Sequence, residues 1–244
     1  MHQTIGIVGG LSPESTANYY LTIVRRHFEQ FQDRYYPPIK IASVCTQQYA
    51  DWRLSDRWDL VVEALTQDVA ALTKAGADFA LIACNTMHKV LPLIQSPIPI
   101  LSIVDVAALA VQQRGLDTLV LTGTQFTMAD GFFSQQLSQH GIHVITPASQ
   151  GQDVIERIIK TELVLGNVLP KSAADFAQVV QTTIAQAAPQ ARAAQIGVLL
   201  ACTELGMLLP YLPPEFNGLD TAELHALAAW QIATNQLVPP WAVA

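Results

Sequence analysis

Several things are scarce in this chain of 244 residues. It has only three cysteines, an odd number, at positions 45, 84 and 202; a disulfide framework is therefore not expected, and a reducing compartment, by default the cytoplasm, is. Lys and Arg total 13 against 20 Asp and Glu, for a net charge of −7. The basic residues are scattered, and without a cationic stripe to neutralise phosphates no nucleic-acid partner is expected. No apolar stretch approaches the roughly 20 residues that cross a bilayer, so no membrane partner is expected either. Residues 1–8 lack a basic region followed by a long apolar segment, and no secretory signal is predicted. The sequence also has no Cys-x-x-Cys and no His-x-x-x-His pair. A metal would have to be held by the dispersed set Cys84, Cys202, His88 and perhaps His225, and none is expected.

What is present is apolar mass. Half of the residues are hydrophobic, enough for a sizeable core in two small domains or one large one. The most informative stretch is Phe79-Ala80-Leu81-Ile82-Ala83-Cys84-Asn85-Thr86-Met87-His88, an apolar run that stops at a cysteine followed by small polar residues. A counterpart occurs late in the chain, Ile196-Gly197-Val198-Leu199-Leu200-Ala201-Cys202-Thr203-Glu204. Continuous runs of this length read as strands buried on both faces of a parallel sheet. Each cysteine then sits at a strand's carboxyl end, where open α/β sheets bind ligands.

The loops in front of these strands repeat as well. A strand over residues 4–8 runs into Gly9-Gly10-Leu11-Ser12-Pro13-Glu14-Ser15-Thr16, with Ser12 predicted to cap a helix whose first residue is Pro13. A strand over residues 118–124 likewise runs into Gly123-Thr124, with a helix predicted to open at Thr127 or Asp130. The glycine turn is not a dinucleotide turn. It lacks Gly-x-Gly-x-x-Gly, and the next strand, residues 39–44, ends in Cys45-Thr46-Gln47 rather than in an acid. No nicotinamide cofactor is expected, and the turn reads as a helix cap or a small-substrate loop. Further helices are predicted over residues 17–31, 58–74, 105–113, 154–165, 172–187 and 221–236, with strands over 100–104 and 144–147. A short helix carrying His88 is predicted to be capped by Asn85 or Thr86, and Pro210 to Pro214 precede the last helix.

Strands alternating with helices in both halves predict an α/β fold of two similar lobes, each a mostly parallel sheet flanked by helices, related by a pseudo-twofold axis with the site in the cleft between them. The repeat has a period of about 115 residues. The expected lobes are residues 1–104 with 215–244, carrying Cys84, and residues 105–214, carrying Cys202. A lone cysteine in an apolar strand is ordinarily a small buried hydrophobe, and Cys45, without a counterpart, is read as one. Two cysteines at matching strand ends, each followed by polar residues and a helix start that favours a thiolate, suit other chemistry. One possibility is proton exchange at a carbon next to a carboxylate, with thiolate and thiol on opposite faces. Another is covalent catalysis by one cysteine with the other as acid.

The segments Gly9 to Thr16, Cys84-Asn85-Thr86-Met87-His88 and Ala201-Cys202-Thr203-Glu204 resemble the three signature segments of the aspartate/glutamate racemases, which are cofactor-independent amino-acid racemases. Gly123-Thr124 and Asp220-Thr221-Ala222 with His225 extend the resemblance over nearly the whole chain. The chain lacks the Asp-Ser-Gly opening of the glutamate racemase branch and is more similar to the aspartate racemase branch. The resemblance implies a two-lobed fold, a homodimer, a small amino-acid substrate, no cofactor, and Cys84 and Cys202 as the catalytic acid/bases. By position it implies Asn85, Thr86, Thr124 and Thr203 around the substrate α-carboxylate, with Leu11 and Ser12 at the floor of the site. Glu204 would bind the substrate ammonium or tune Cys202, and His88 and His225 would orient the cysteines or serve the fold. Two positions depart from the family pattern: Val154 stands where a lysine is common, and Ser102 where a histidine is. Arg53, Arg57 or Lys160 would then supply a cation for a side-chain carboxylate. Hydantoin racemases, maleate isomerases and decarboxylases use similar cysteines, and an amino-acid-binding relative without turnover is the alternative outside enzymes.

Overall fold

The computed structural model describes residues 2–188, 195–213 and 216–242. It divides into two units, Met1–Val106 with Ala222–Ala244, and Ala107–Thr221. In the first unit β1 (Ile5–Gly9), β2 (Ile39–Ser43), β3 (Phe79–Ile82) and β4 (Ile100–Leu101) form a parallel sheet in the order β2-β1-β3-β4. The pleat sends alternate side chains to opposite faces. Ile5, Ile7, Phe79 and Leu81 enter a core with Tyr19 and Ile23 of α1 (Pro13–Phe31) and with Ala226, Ala229 and Trp230 of α9 (Thr221–Ala233). Val8, Ala80 and Ile82 point the other way, to Val61, Leu65 and Val69 of α3 (Trp58–Lys74) and to Tyr49 of α2 (Thr46–Leu54). With both faces covered, β1 and β3 are fully buried, as their unbroken apolar sequences require.

The second unit repeats this order. Its strands β5 (Thr118–Gly123), β6 (His143–Ile145), β7 (Ile196–Ala201) and β8 (Asn217–Asp220) run parallel in the order β6-β5-β7-β8. One core joins Val120, Val198 and Leu200 to Ile155, Ile158 and Ile159 of α7 (Ser149–Thr161) and to Phe176 and Val180 of α8 (Pro170–Ala187). The remaining α-helices among the described residues are α4 (Ile103–Gln113), α5 (Gln125–Ala129) and α6 (Phe132–Gln139). Two parallel α/β sheets of matching topology agree with the fold class read from the sequence. Among the described residues, no helix is long and apolar enough to cross a membrane.

Several local expectations are corrected. The segment 100–104 is a two-residue strand, because Ser102 accepts from the Asp105 N–H (3.2 Å) and so opens α4 at Ile103. The helix after Thr124 opens at Gln125, with Thr124 rather than Thr127 or Asp130 as its cap. Helix α7 starts at Ser149, ahead of the expected 154, so Val154 lies inside the helix. Its Gly151 lets α8 approach closely, since a β-carbon there would meet Val179 at 2.9 Å. The polar segment 46–54 is a helix, α2, and 217–220 is a strand, β8; neither carries a strong apolar signature. Of the stretch Pro210 to Pro214, position 214 lies outside the described residues.

The fully buried Phe176 anchors α8 on the second sheet. Phe176→Ala should cost about 3–5 kcal/mol, measured as a shift in urea midpoint at unchanged slope.

Candidate active site

The carboxyl end of β1 gives way to a turn knitted into the first turn of α1. Ser12 caps that helix in extended backbone (φ −144°), its hydroxyl accepting from the Ser15 N–H at 3.3 Å, with Pro13 at the first helical position. The Thr16 hydroxyl donates to the Ser12 carbonyl (3.0 Å) and accepts from the Gly10 N–H (2.8 Å). Gly10 has φ +81°, and a β-carbon there would collide with the Val44 backbone, so only glycine fits. The Thr46 hydroxyl donates to the Gly10 carbonyl, and the Val44 N–H donates to the Gly9 carbonyl (2.9 Å). The turn thus rests on α1 on one side and on the chain leaving β2 on the other. Leu11 packs, half-buried, against the α3-side core. Sequence reasoning gives Thr16 and Thr46 no individual role here; Thr46 lies 36 residues from Gly10, so its bond to the Gly10 carbonyl is legible only once the turn is seen.

Cys84 stands beside this turn, at the end of β3, and is partly buried. Strand β3 pairs directly with β1, and the Ser15 hydroxyl reaches the Ala83 carbonyl (3.4 Å). Asn85 follows at the N-cap position of a 3-10 helix, Thr86–Leu93, but its side chain makes no capping bond. It is only 4% exposed, and among the described residues neither its carboxamide oxygen nor its nitrogen has a hydrogen-bond partner. A buried amide left this way costs about 1–3 kcal/mol, so Asn85 is the group here most in want of a ligand. Thr86 is half-buried next to it.

The second unit builds the same end of its sheet in the same manner. Thr124 caps α5, its hydroxyl 3.3 Å from the Thr127 N–H and 3.0 Å from the Thr127 hydroxyl. A β-carbon on Gly123 would press the Ala201 carbonyl at 2.9 Å, so glycine keeps this turn against β7. Cys202, at the end of β7, is 8% exposed. Its thiol donates to Glu204 Oε2 at 3.0 Å, and the Thr203 hydroxyl donates to the same oxygen at 2.9 Å. A 3-10 helix, Leu205–Tyr211, follows; like Thr86–Leu93, it contains a proline. The first unit therefore gathers Leu11, Ser12, Cys84, Asn85 and Thr86 at one sheet end, and the second gathers Thr124, Cys202, Thr203 and Glu204 at the equivalent end. Cys45, read as a core residue, is instead exposed at the N-cap of α2. None of the three cysteines is in a disulfide.

His88 and His225 lie fully buried in the first unit, with ring centroids 5.7 Å apart. The Ile103 N–H donates to His88 Nε2 at 3.1 Å, so the proton is on Nδ1, which donates to the Cys84 carbonyl at 2.9 Å. The Leu101 carbonyl can only accept, so His225 Nε2 carries the proton (3.1 Å) and Nδ1 accepts from the Tyr19 hydroxyl (2.9 Å). Every ring nitrogen is thus engaged by protein, and neither histidine has a lone pair to offer a metal. Burial pushes His88 down to about 4, against a weaker opposing pull from its backbone carbonyl partners and Asp105. Burial, reinforced by His88, pushes His225 down to about 3. Of the candidate cations, Arg57 is paired with Asp59 (2.6 and 2.8 Å) and Lys160 with Glu156 (2.7 Å). Ser102, at the second departure from the family pattern, serves as the α4 cap.

Because both histidines resist protonation only when folded, their contribution is complete above about pH 6.5 and is lost as pH falls toward 4 and 3. Each should make unfolding easier by about 1.4 kcal/mol per pH unit within its window. In urea melts from pH 7 to 4.5, His225→Gln should show a shallower loss than the parent. Parallel curves would contradict the neutral assignment.

A model of the Asp/Glu/hydantoin racemase family matches residues 8–229. A candidate Asp/Glu racemase from Yersinia pestis is 31% identical, aligning over 95% of this chain and 99% of its own with a TM-score of 0.84. An aspartate racemase homologue from Pyrococcus horikoshii OT3 is 28% identical over 96% of this chain and 100% of its own, with a TM-score of 0.82. A glutamate racemase from Aquifex pyrophilus shares the fold at 16% identity, over 92% of this chain and 82% of its own, with a TM-score of 0.58.

Proposed function

The chain belongs to the Asp/Glu/hydantoin racemase family, and from that membership we propose that it is a cofactor-independent amino-acid racemase or epimerase, acting on aspartate or glutamate. In this reading Cys84 and Cys202 work from opposite faces of the substrate Cα. One, as thiolate, removes the proton; the other, as thiol, delivers a proton to the far side, so configuration inverts without a cofactor. The charge that develops on the α-carboxylate as Cα loses its proton is stabilised by Asn85, Thr86, Thr124, Thr203 and neighbouring backbone N–H groups, with Leu11 and Ser12 closing the floor.

The observation that carries the proposal is the buried carboxamide of Asn85, which follows Cys84 directly and has both polar atoms without a protein partner among the described residues. A substrate carboxylate would accept from its nitrogen, and the ammonium would donate to its oxygen. The Cys202–Glu204 bond supports the same reading from the other unit: a thiol held as a donor to a carboxylate is stocked with the proton that an acid must give. Aspartate is the first substrate to try, given the likeness to an aspartate racemase homologue at 28% identity. The protein is further proposed to act as a homodimer in the cytoplasm, where three cysteines outside any disulfide would persist.

Cys84→Ser and Cys202→Ser should each abolish racemisation, followed by polarimetry, while the circular dichroism spectrum is kept. Full activity in either variant would end the two-thiol mechanism. Asn85→Ala separates binding from folding. It breaks no side-chain hydrogen bond among the described residues, so its stability should stay within about 1 kcal/mol of the parent, while KM for the substrate rises. A large loss of stability with unchanged KM would instead make Asn85 a structural residue.

A further inference from the structure

Resting on the reading of Cys84 as one of the two acid/bases, we propose that His88 is a positioning residue for the Cys84 half of the reaction, acting through the peptide that joins Cys84 to Asn85. The Cys84 carbonyl is turned toward His88 Nδ1–H, 2.9 Å away. That peptide is trans, like the others in the described residues. Carbonyl and N–H of one trans peptide point in opposite directions, so a carbonyl drawn toward the imidazole aims the Asn85 N–H away from it. His88 thereby fixes two things at once: the direction of a backbone donor at the strand end, and the start of the segment that carries the orphaned Asn85 carboxamide.

The imidazole can do this because its other nitrogen is tied. Nε2 accepts from the N–H of Ile103, the first residue of α4. That N–H is one of the helix-start donors that have no partner within the helix. The turn holding Ile103 is itself pinned. Leu101, two residues earlier, gives its carbonyl to His225 Nε2–H, and the Tyr19 hydroxyl of α1 donates to His225 Nδ1. A line of donors therefore runs from α1 through α9 to the β4–α4 turn, and from that turn through His88 to Cys84. It has a single polarity: each imidazole is neutral, and the two carry their protons on opposite nitrogens. A second proton on His88 would set Nε2–H against the Ile103 N–H. His88 is thus unsuited to shuttle protons and suited to hold geometry.

The test is His88→Leu, which removes both bonds, beside His88→Asn, whose side-chain nitrogen can replace Nδ1 and still donate to Cys84. Racemisation of aspartate should fall about 100-fold in kcat in the leucine variant, the cost of a small misplacement of reacting groups. The asparagine variant should recover about tenfold of that, the worth of the regained hydrogen bond. The decisive reading is the primary isotope effect with Cα-deuterated L- and D-aspartate. If only the Cys84 step is impaired, the effect rises for the enantiomer whose proton Cys84 removes and falls for the other. Isotope effects unchanged for both enantiomers, with activity lost only in proportion to unfolded protein, would overturn the proposal, as would parental activity in His88→Leu. If the leucine variant does not fold, the same isotope split, smaller in size, is required of His88→Asn. Cys84→Ser run alongside separates the two claims. An active Cys84→Ser enzyme defeats the reading of Cys84, whereas an inactive one beside an unaltered His88→Leu enzyme defeats only the positioning role.

Discussion

A parallel strand buried on both faces cannot end quietly. Its last peptide groups leave the ladder in an apolar setting, and each must find a partner or be left for a ligand. In this protein that constraint falls four times at the same end of the sheets, after β1, β3, β5 and β7. Two of the four ends are closed internally. The Ser12–Thr16 and Thr124–Thr127 pairs fold a helix start back over a glycine turn and absorb its donors. The other two, at Cys84 and Cys202, carry the sulfur, hydroxyl and carboxamide groups. The closed ends give the open ones something rigid to stand beside, β1 next to β3 and β5 next to β7.

The two units meet this requirement with different chemistry. In the first, the cysteine is followed by a buried carboxamide that has no protein partner among the described residues, and two neutral imidazoles hold the backbone behind it. In the second, a carboxylate receives the thiol proton directly. The halves of this duplicated fold thus differ in the residues that follow each cysteine, a carboxamide in one and a carboxylate in the other.

The sequence made much of this legible, for definite reasons. Phe79–Ile82 and Ile196–Ala201 are continuous apolar runs, so their strands and the cysteines closing them could be placed. Ser12-Pro13 is a capping signature with a mechanism, and it stands where expected. The failures are as specific. Asn85 does stand at the N-cap position of the 3-10 helix, but identity alone does not tell that its buried side chain makes no capping bond. The start of α5 is ambiguous in sequence because Thr124, Thr127 and Asp130 are all cap-forming residues within one short stretch, and only the structure shows Thr124 accepting from the Thr127 N–H. Cys45 follows a strand and reads as core in the sequence, yet β2 lies at the edge of its sheet and Cys45 at its carboxyl end is exposed. The histidine network lay beyond sequence reasoning altogether, since it joins Tyr19, His88, Leu101, Ile103 and His225 across most of the chain's length.

If, as proposed, two thiols exchange protons with opposite faces of one carbon, the fate of solvent deuterium shows it most directly. A single enantiomer of aspartate is incubated in heavy water, and both enantiomers are separated by chiral chromatography and weighed by mass spectrometry early in the reaction. Two-base inversion requires the newly formed enantiomer to carry one deuteron at Cα while the recovered starting enantiomer remains almost unlabelled, because the acid that completes inversion is not the base that began it. Equal labelling of substrate and product from the outset would point to one base serving both faces, and inversion without any label would remove proton exchange with solvent-equilibrated thiols from the mechanism.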